Sequence, residues 1–333
     1  MRKKIKVVSL FSGCGGLDLG FEKAGFDIIW ANEYDKDIWA TYRLNHKSTI
    51  LDTRSITDVK EEEVPDCDGI IGGPPCQSWS EGGAKRGLND SRGRLFFDYI
   101  RILEAKQPLF FLAENVSGML LDRHADALEG IKQAFKDAGY NLSFKMVNAS
   151  DYGVPQDRKR VFFVGLRKDL DVRFLFPDPM KKKATLRKAI GDLPQNPIPV
   201  ANGIMPNREK PIIANHEYMT GGFSSIYMSR NRVRGWDEVS FTIQAQARQA
   251  PIHPQAPKMA FIHENKREFV KGKENLYRRL SVRECARIQT FPDDFIFVYD
   301  NIAMGYKMIG NAVPVNLAYE MAKAIRTQLS LYI

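Results

Sequence analysis

A mostly parallel, doubly wound α/β sheet joined to a smaller, irregular second domain is the fold class that this 333-residue sequence predicts. Three observations predict it. Short β-branched apolar runs alternate with helix-like stretches through the first half, as strands buried on both faces require. Proline then concentrates, with ten of the seventeen between Pro177 and Pro257, where helical periodicity is poor. Regular helical spacing returns near Leu280 and runs to the end.

Residues 6–11 (KVVSLF) read as the first strand; a glycine turn follows, then a helix over 17–24 and a strand over 26–31. Further strands are expected at 69–71, 109–113 and 161–166, with helices at 96–105 and 125–138. Residues 176–276 are read as the second domain and 1–175 with 277–333 as the first. Ser281 and Glu284 fit a capping box, each satisfying the other's free amide, and open a helix that carries Cys285, Ala286 and Ile288 before stopping at Pro292. The last helix starts at Pro314. Its Leu317, Met321, Ile325 and Leu329 share one face, which is expected to pack back onto the first domain.

Composition narrows the function classes. A chain that is 44% hydrophobic can bury a large core, and 49 basic against 40 acidic residues leave a net charge of +9, which favours a polyanionic partner without establishing one. No stretch approaches the roughly 18 apolar residues of a membrane span, and the opening Met1-Arg2-Lys3-Lys4-Ile5-Lys6 leads into a strand rather than a signal-peptide core. A cytoplasmic protein with no membrane association is the expectation. Cys14, Cys67, Cys76 and Cys285 are widely spaced, with no CxxC pair and no companion histidines, so neither a disulfide framework nor a metal site is expected. A cysteine with a special task here would be a nucleophile.

Cys76 is the one set apart. It lies in "GGPPCQSWS", residues 72–80, where glycines let the backbone pass close to a ligand and Pro74 and Pro75 stiffen the loop that presents the thiol. The turn "FSGCGGLDLGF", residues 11–21, sets Gly13, Gly15 and Gly16 between a strand and a helix, an arrangement suited to a nucleotide-like ligand or simply to a tight turn. A dinucleotide fingerprint would want glycine where Asp18 stands, which disfavours nicotinamide. Glu33 closes the second strand, where a carboxylate can accept from ribose hydroxyls, and Glu114 with Asn115 closes "PLFFLAEN". Taken singly, each is equally a surface acid or a capping residue.

In their order, "FSGCGG", "ANEYD", "GGPPCQSWS", "AENV", "QDRKR", "RRLSVRECARIQTFPDDF" and "MIGNAVPVNLA" resemble the motifs of the cytosine-C5 DNA methyltransferases over nearly the whole chain. The resemblance implies a Rossmann-like catalytic domain of the class I S-adenosylmethionine-dependent kind, with a target-recognition domain at 176–276. It also implies a monomer that modifies double-stranded DNA, with a cognate restriction endonuclease acting separately in a restriction-modification system. The cofactor would be S-adenosylmethionine, held by Phe11 against the adenine, by Ser12, Gly13, Gly15, Gly16, Glu33 and Tyr34, and by Pro75, Leu95 and Asn311. Asp52 would touch the adenine, although Asp52-Thr53 stands where the family has Asp-Ile.

The chemistry explains the set. Cytosine C5 is a poor nucleophile until a thiolate, here that of Cys76, adds at C6, and Glu114 as an acid at N3 stabilises the charge that arrives there. Arg158 and Arg160 of "QDRKR" complete the catalytic group, and Gln156 is grouped with the DNA contacts. The target base must leave the stack. Residues 78–94 have the content of a closing lid, with Ser80, Lys85, Arg86 and Arg92 as candidate DNA contacts. Arg230, Arg232 and Arg248 match guanine-reading arginines of GGCC-recognising modification methyltransferases. The neighbours of Arg248, Gln246-Ala247 and Ala250-Pro251-Ile252, depart from that group's Ser-Gly and Cys-Gln-Leu, so a related GC-rich site is equally open. An RNA cytosine-C5 methyltransferase, or a non-catalytic DNA-binding regulator on the same scaffold, are the rival readings.

Overall fold

The computed structural model describes residues 4–75, 91–201 and 213–332. The chain divides into two compact units, one of Met1–Asn148, Lys159–Asp178 and Leu317–Ile333, the other of Ala149–Arg158 and Pro179–Asn316. The division after Asp178 falls close to the expected change at 175, but the chain returns to the first unit only at Leu317. The capping-box helix therefore belongs to the second unit, where Arg283 donates to Ala214 O at 2.9 Å.

In the first unit the chain runs β1 (Ile5–Leu10), α1 (Gly16–Lys23), β2 (Phe26–Asn32), α2 (Lys36–Asn45), β3 (Ile50–Asp52), β4 (Gly69–Gly72), α3 (Ser91–Lys106), β5 (Phe110–Val116), α4 (Ala125–Asp137), β6 (Tyr140–Asn148) and β7 (Lys159–Arg167). These strands form one seven-stranded sheet in the order β3-β2-β1-β4-β5-β7-β6. β7 alone runs against its neighbours, antiparallel to both β5 and β6, and the rest is parallel as the buried apolar runs predict. Strand order reverses between β1 and β4, the kind of switch point outside which open α/β sheets bind ligands.

The core explains the strand sequences. Val7, Val8, Ile70, Ile71, Phe111 and Leu112 are fully buried, and the Phe111 ring stacks on Phe135 of α4 at 4.2 Å between centroids. At Gly69 an added Cβ would lie 2.1 Å from Phe110 Cζ, so the strand carries glycine where the neighbouring ring takes the space. After Leu317 the last helix, α8 (Val315–Gln328), belongs to this unit: Arg326 donates to Ala24 O at 2.5 Å, and Tyr332 OH to Leu170 O at 3.0 Å. The expected return of the C-terminus to the first domain is thus met.

The second unit is poor in regular structure, as its prolines predict. It holds α5 (Leu186–Ile190), the parallel pair β8 (Ile198–Val200) and β9 (Glu217–Met219), the hairpin β10 (Ala260–His263) with β11 (Lys266–Glu268), α6 (Val282–Ile288) and α7 (Ile302–Asn311). A small core of Tyr227, Val233, Ile252, Ala256, Met259 and Tyr277 organises its centre. The capping box is formed: Ser281 N donates to Glu284 Oε2 at 2.7 Å and Glu284 N to Ser281 Oγ at 3.0 Å. Among the described residues no helix is long and apolar enough to cross a membrane, and no cluster of His, Cys, Asp or Glu could hold a metal ion.

Candidate cofactor and catalytic site

The site of the first unit is built at the carboxyl ends of β1, β2, β4 and β5. After β1 the backbone turns through left-handed residues at Phe11 (φ 54°), Gly13 (φ 57°) and Gly15 (φ 87°), and Gly15 caps α1 without a side chain. Gly15 N donates to Ser12 O at 3.0 Å, closing the turn. The Glu33 carboxylate then pins it, accepting from Gly13 N at 2.8 Å through one oxygen and from Asp35 N at 2.7 Å through the other. Ser12 Oγ is buried with no hydrogen-bond partner, and the space around an added Cβ at Gly13 is empty.

β4 ends beside this turn. Asn115 Nδ2 donates to Pro74 O at 3.0 Å and so fixes the start of the Pro74-Pro75 loop. A Cβ at Gly73 would lie 3.5 Å from Glu114 Oε2, which puts that carboxylate alongside the backbone leading to Cys76. Glu114 pairs in register with Phe162 across β5 and β7, so Arg160, two residues from Phe162, lies close to it. Arg160 Nε stands 2.9 Å from Glu114 Oε1, an ion pair by distance whose N–H is not aimed at the oxygen, since Oε1 is buried and has no hydrogen-bond partner. Cys76, Ser80, Lys85 and Arg86 lie outside the described residues, as does the side chain of Arg92.

The described cysteines are inert by contrast. Burial pushes the thiols of Cys14 and Cys67 up to about 12 and that of Cys285 well above its usual range, so all three are protonated at neutral pH. Asp52 accepts from Arg54 NH2 at 2.7 Å, and this hydrogen bonding holds its carboxyl below the usual range. Its main-chain oxygen accepts from Glu33 N at 3.0 Å. Tyr34 is largely exposed, while Phe11 and Leu95 pack partly buried against the core.

Beneath the turn lies a polar cluster that the sequence reading missed. Asp18 is fully buried on α1 and accepts from Ser9 Oγ and from Tyr42 OH, each at 2.6 Å. His46, at the end of α2, stacks on Tyr42 at 4.5 Å and places Nδ1 3.0 Å from Glu22 Oε1. The signal in the sequence was Asp18 itself, a carboxylate where a nucleotide turn would carry glycine.

In the second unit "QDRKR" divides. Arg158 is 1% exposed and donates to the carbonyls of Ile243, Gly310 and Ala312 at 3.0, 2.8 and 3.1 Å. Gln156, fully buried, donates to Gln289 Oε1 at 2.7 Å and accepts from Ile243 N at 2.8 Å. These two brace the unit from within, which differs from the expectation that Arg158 is catalytic and Gln156 a DNA contact. The bonds span more than eighty residues of sequence and leave no local trace. Arg230 and Arg248 are exposed, whereas Arg232 is buried, donating to Tyr227 O at 2.9 Å with its guanidinium 4.5 Å from the Tyr227 ring. Burial and then the neighbouring Arg230 charge hold the Arg232 pKa below the usual value. Asn311 closes α7 and is exposed.

Comparison with known proteins gives the family. A family model described as C-5 cytosine-specific DNA methylase matches residues 5–327. The type II methyltransferase M.NgoPII of Neisseria gonorrhoeae is 58% identical over 330 residues, covering 98% of this chain and 96% of its own. M.FnuDI of Fusobacterium nucleatum, also a type II methyltransferase, is 57% identical over 329 residues, covering 98% and 95%. The crystal structure of a DNA modification methyltransferase encoded within a prophage (E. coli) superposes with a TM-score of 0.74 at 26% identity, covering 98% of this chain and all of that one.

Proposed function

Because this chain belongs to the C-5 cytosine-specific DNA methylase family and transfers a methyl group from S-adenosylmethionine to C5 of cytosine in DNA, we propose that Cys76 and Glu114 carry the chemistry on a base turned out of the duplex. The observation that supports this reading most is the shared sheet edge. The glycine turn, Glu33, the Pro74-Pro75 entrance to Cys76 and Glu114 all stand at strand carboxyl ends around the β1/β4 reversal.

The residues fit the cofactor. Ser12 Oγ is an orphaned buried hydroxyl, the space over Gly13 is open, and Glu33 is held where a ribose hydroxyl could donate to it. When bound, S-adenosylmethionine supplies the electrophilic methyl that C5 takes. Phe11, Tyr34, Asp52, Pro75, Leu95 and Asn311 are assigned around it.

The chain's own part is to make C5 nucleophilic. The Cys76 thiolate forms a bond to C6, and the electron pair released from the C5–C6 double bond is delocalised toward N3. Glu114 as an acid hydrogen-bonds N3, and Arg160 beside it holds the carboxyl group in place. After methylation, loss of the C5 proton drives out the thiolate and restores the ring. Extruding the base costs a few kcal/mol, which contacts from Ser80, Lys85, Arg86 and Arg92 help to offset.

Residues 176–276 carry target recognition, with the exposed Arg230 and Arg248 reading guanine O6 and N7 of GGCC or a related GC-rich site. Arg232, buried and donating to Tyr227 O and Ile226 O, is left without a base to read. The protein acts as a cytoplasmic monomer in a restriction-modification system, with a separate cognate endonuclease. Bisulfite sequencing of duplex DNA treated with the protein and S-adenosylmethionine tests the activity, the target base and the recognised site together. Protected cytosines at one GC-rich site, lost in Cys76→Ala while sequence-specific binding survives, are expected. Methylation by Cys76→Ala would overturn the assignment.

A further inference from the structure

Gly15 has a neighbour that constrains the glycine turn from below. A Cβ built on it would meet His46 Nε2 at 2.0 Å, Cδ2 at 2.7 Å and Cε1 at 2.9 Å, so the edge of the imidazole lies directly against the turn backbone. His46 is itself held from several sides: its backbone N–H bonds Tyr42 O at 2.9 Å, its ring stacks on Tyr42, and Nδ1 lies 3.0 Å from Glu22 Oε1. Tyr42 is tied through its hydroxyl to Asp18, and Asp18 to Ser9 of β1. The turn is thus clasped between Glu33 above Gly13 and the His46 ring beneath Gly15.

We propose that His46 is a positioning residue for S-adenosylmethionine, an imidazolium wedge that fixes the glycine turn in its binding geometry without touching the cofactor. The proposal rests on the reading that this turn holds the cofactor. Charge is central to it. The titratable groups acting on the ring are Asp18 and Glu22 of α1, with Tyr42 of α2 stacked on it; the turn contributes the Cys14 main chain, and Ser9 of β1 reaches the ring only through Asp18. Burial alone would lower the histidine's pKa, but the Glu22 hydrogen bond, the Asp18 and Glu22 charges and the Cys14 main chain together raise it above the ordinary 6.5. Below that raised value the ring carries two N–H donors and a positive charge between acids; above it the wedge loses one donor and its attraction to Glu22.

The test measures S-adenosylmethionine affinity by calorimetry across pH for the parent, His46→Gln and Glu22→Gln, with thermal melts as the control for folding. The parent's affinity should fall as pH rises through the raised His46 value. Glu22→Gln, which keeps the imidazole but removes its acid partner, should shift that fall to lower pH. The cofactor's own titrations are common to both proteins and cancel in the comparison. His46→Gln should weaken binding about tenfold, the scale of one charge-assisted hydrogen bond, and flatten the pH dependence. With folded variants, parental affinity in His46→Gln and an unmoved profile in Glu22→Gln would overturn the proposal. Glu33→Gln separates the two levels: if it too binds like the parent, the turn is not the cofactor site, whereas weakened binding there with unaltered His46→Gln and Glu22→Gln refutes only the role of His46.

Discussion

In the first unit the groups assigned to chemistry include polar atoms that are buried and left without a hydrogen-bond partner, Ser12 Oγ and Glu114 Oε1, in a sheet whose ladders satisfy the surrounding backbone. In the second unit the buried polar groups include several guanidiniums at work on main-chain carbonyls. Arg158 bonds Ile243, Gly310 and Ala312; Arg279 bonds Gly221 and Gly222; Arg283 bonds Ala214, Pro292 and Phe295. Some atoms lack hydrogen-bond partners there too, Glu217 Oε2, Arg278 Nε and Arg279 Nε among them, but on side chains whose other polar atoms are bonded.

The difference follows from backbone accounting. A seven-stranded sheet pairs its own carbonyls, so an orphaned side-chain atom in it costs about 1 to 3 kcal/mol and is retained where a ligand can satisfy it. A unit of loops and short strands has carbonyls to spare, and a fork of donors on a long stem can reach several of them. Buried arginine in the second unit is therefore a structural cross-link, whatever basic motif it belongs to.

Breaking the comparison at its chemical end should give the largest effect. Glu114→Gln keeps the shape but cannot supply a carboxylic acid at N3, and methyl transfer should fall by about 10²- to 10⁴-fold with DNA binding retained; single-turnover rates check this. Next comes the brace. Arg158→Met keeps the alkyl stem and strips the donors from three buried carbonyls, which should destabilise the protein by about 2 to 4 kcal/mol in chemical denaturation. Arg230→Met and Arg248→Met, at exposed positions, should leave the same denaturation midpoint unmoved.

A smaller effect concerns pH. His253 is fully buried against Trp236 and 3.4 Å from Glu284, and burial, countered in part by the Glu284 charge and reinforced by Arg278, depresses its pKa from 6.5 to about 4. The unfolded chain therefore takes up the proton first as pH falls. The contribution is fully present above 6.5 and is lost as pH drops toward 4, by at most about 3 kcal/mol. Denaturation midpoints across that window should decline in the parent and flatten in His253→Gln. Smallest is the reading of a single base: Arg248→Ala should relax discrimination at one position by about 1 to 3 kcal/mol, and a uniform loss over all sequences would make it a phosphate contact instead.

What the sequence disclosed follows the same physics. β1, β2, β4, β5 and β7 were legible because strands buried on both faces read as unbroken apolar runs, and Glu33 and Glu114 stood out only through the motifs that close those strands. β6, at the sheet edge, was not: Asn141, Ser143, Lys145 and their neighbours are partly or fully exposed and carry no such run. Local signals found the Ser281–Glu284 capping box but not the two Arg278 bonds, at 2.8 Å each, that the same Glu284 accepts from within its buried cluster. Arg158 and Gln156 sat in the right motif with the wrong surroundings inferred, since their partners lie far along the chain. The His46 cluster was hidden for the same reason, joining Ser9, Asp18, Tyr42 and Glu22 across β1, α1 and α2.

The central claim is that one sulfur, at position 76, bonds to C6 of the target ring, while the thiols of Cys14, Cys67 and Cys285 stay protonated. Incubation with S-adenosylmethionine and a duplex bearing 5-fluorocytosine at the methylated position, where the C5 proton that must leave is replaced by fluorine, tests it directly by peptide mapping of the trapped product. A single adduct on Cys76 is the predicted result. Turnover on ordinary DNA with no adduct, or an adduct on any of the other three cysteines, would contradict it.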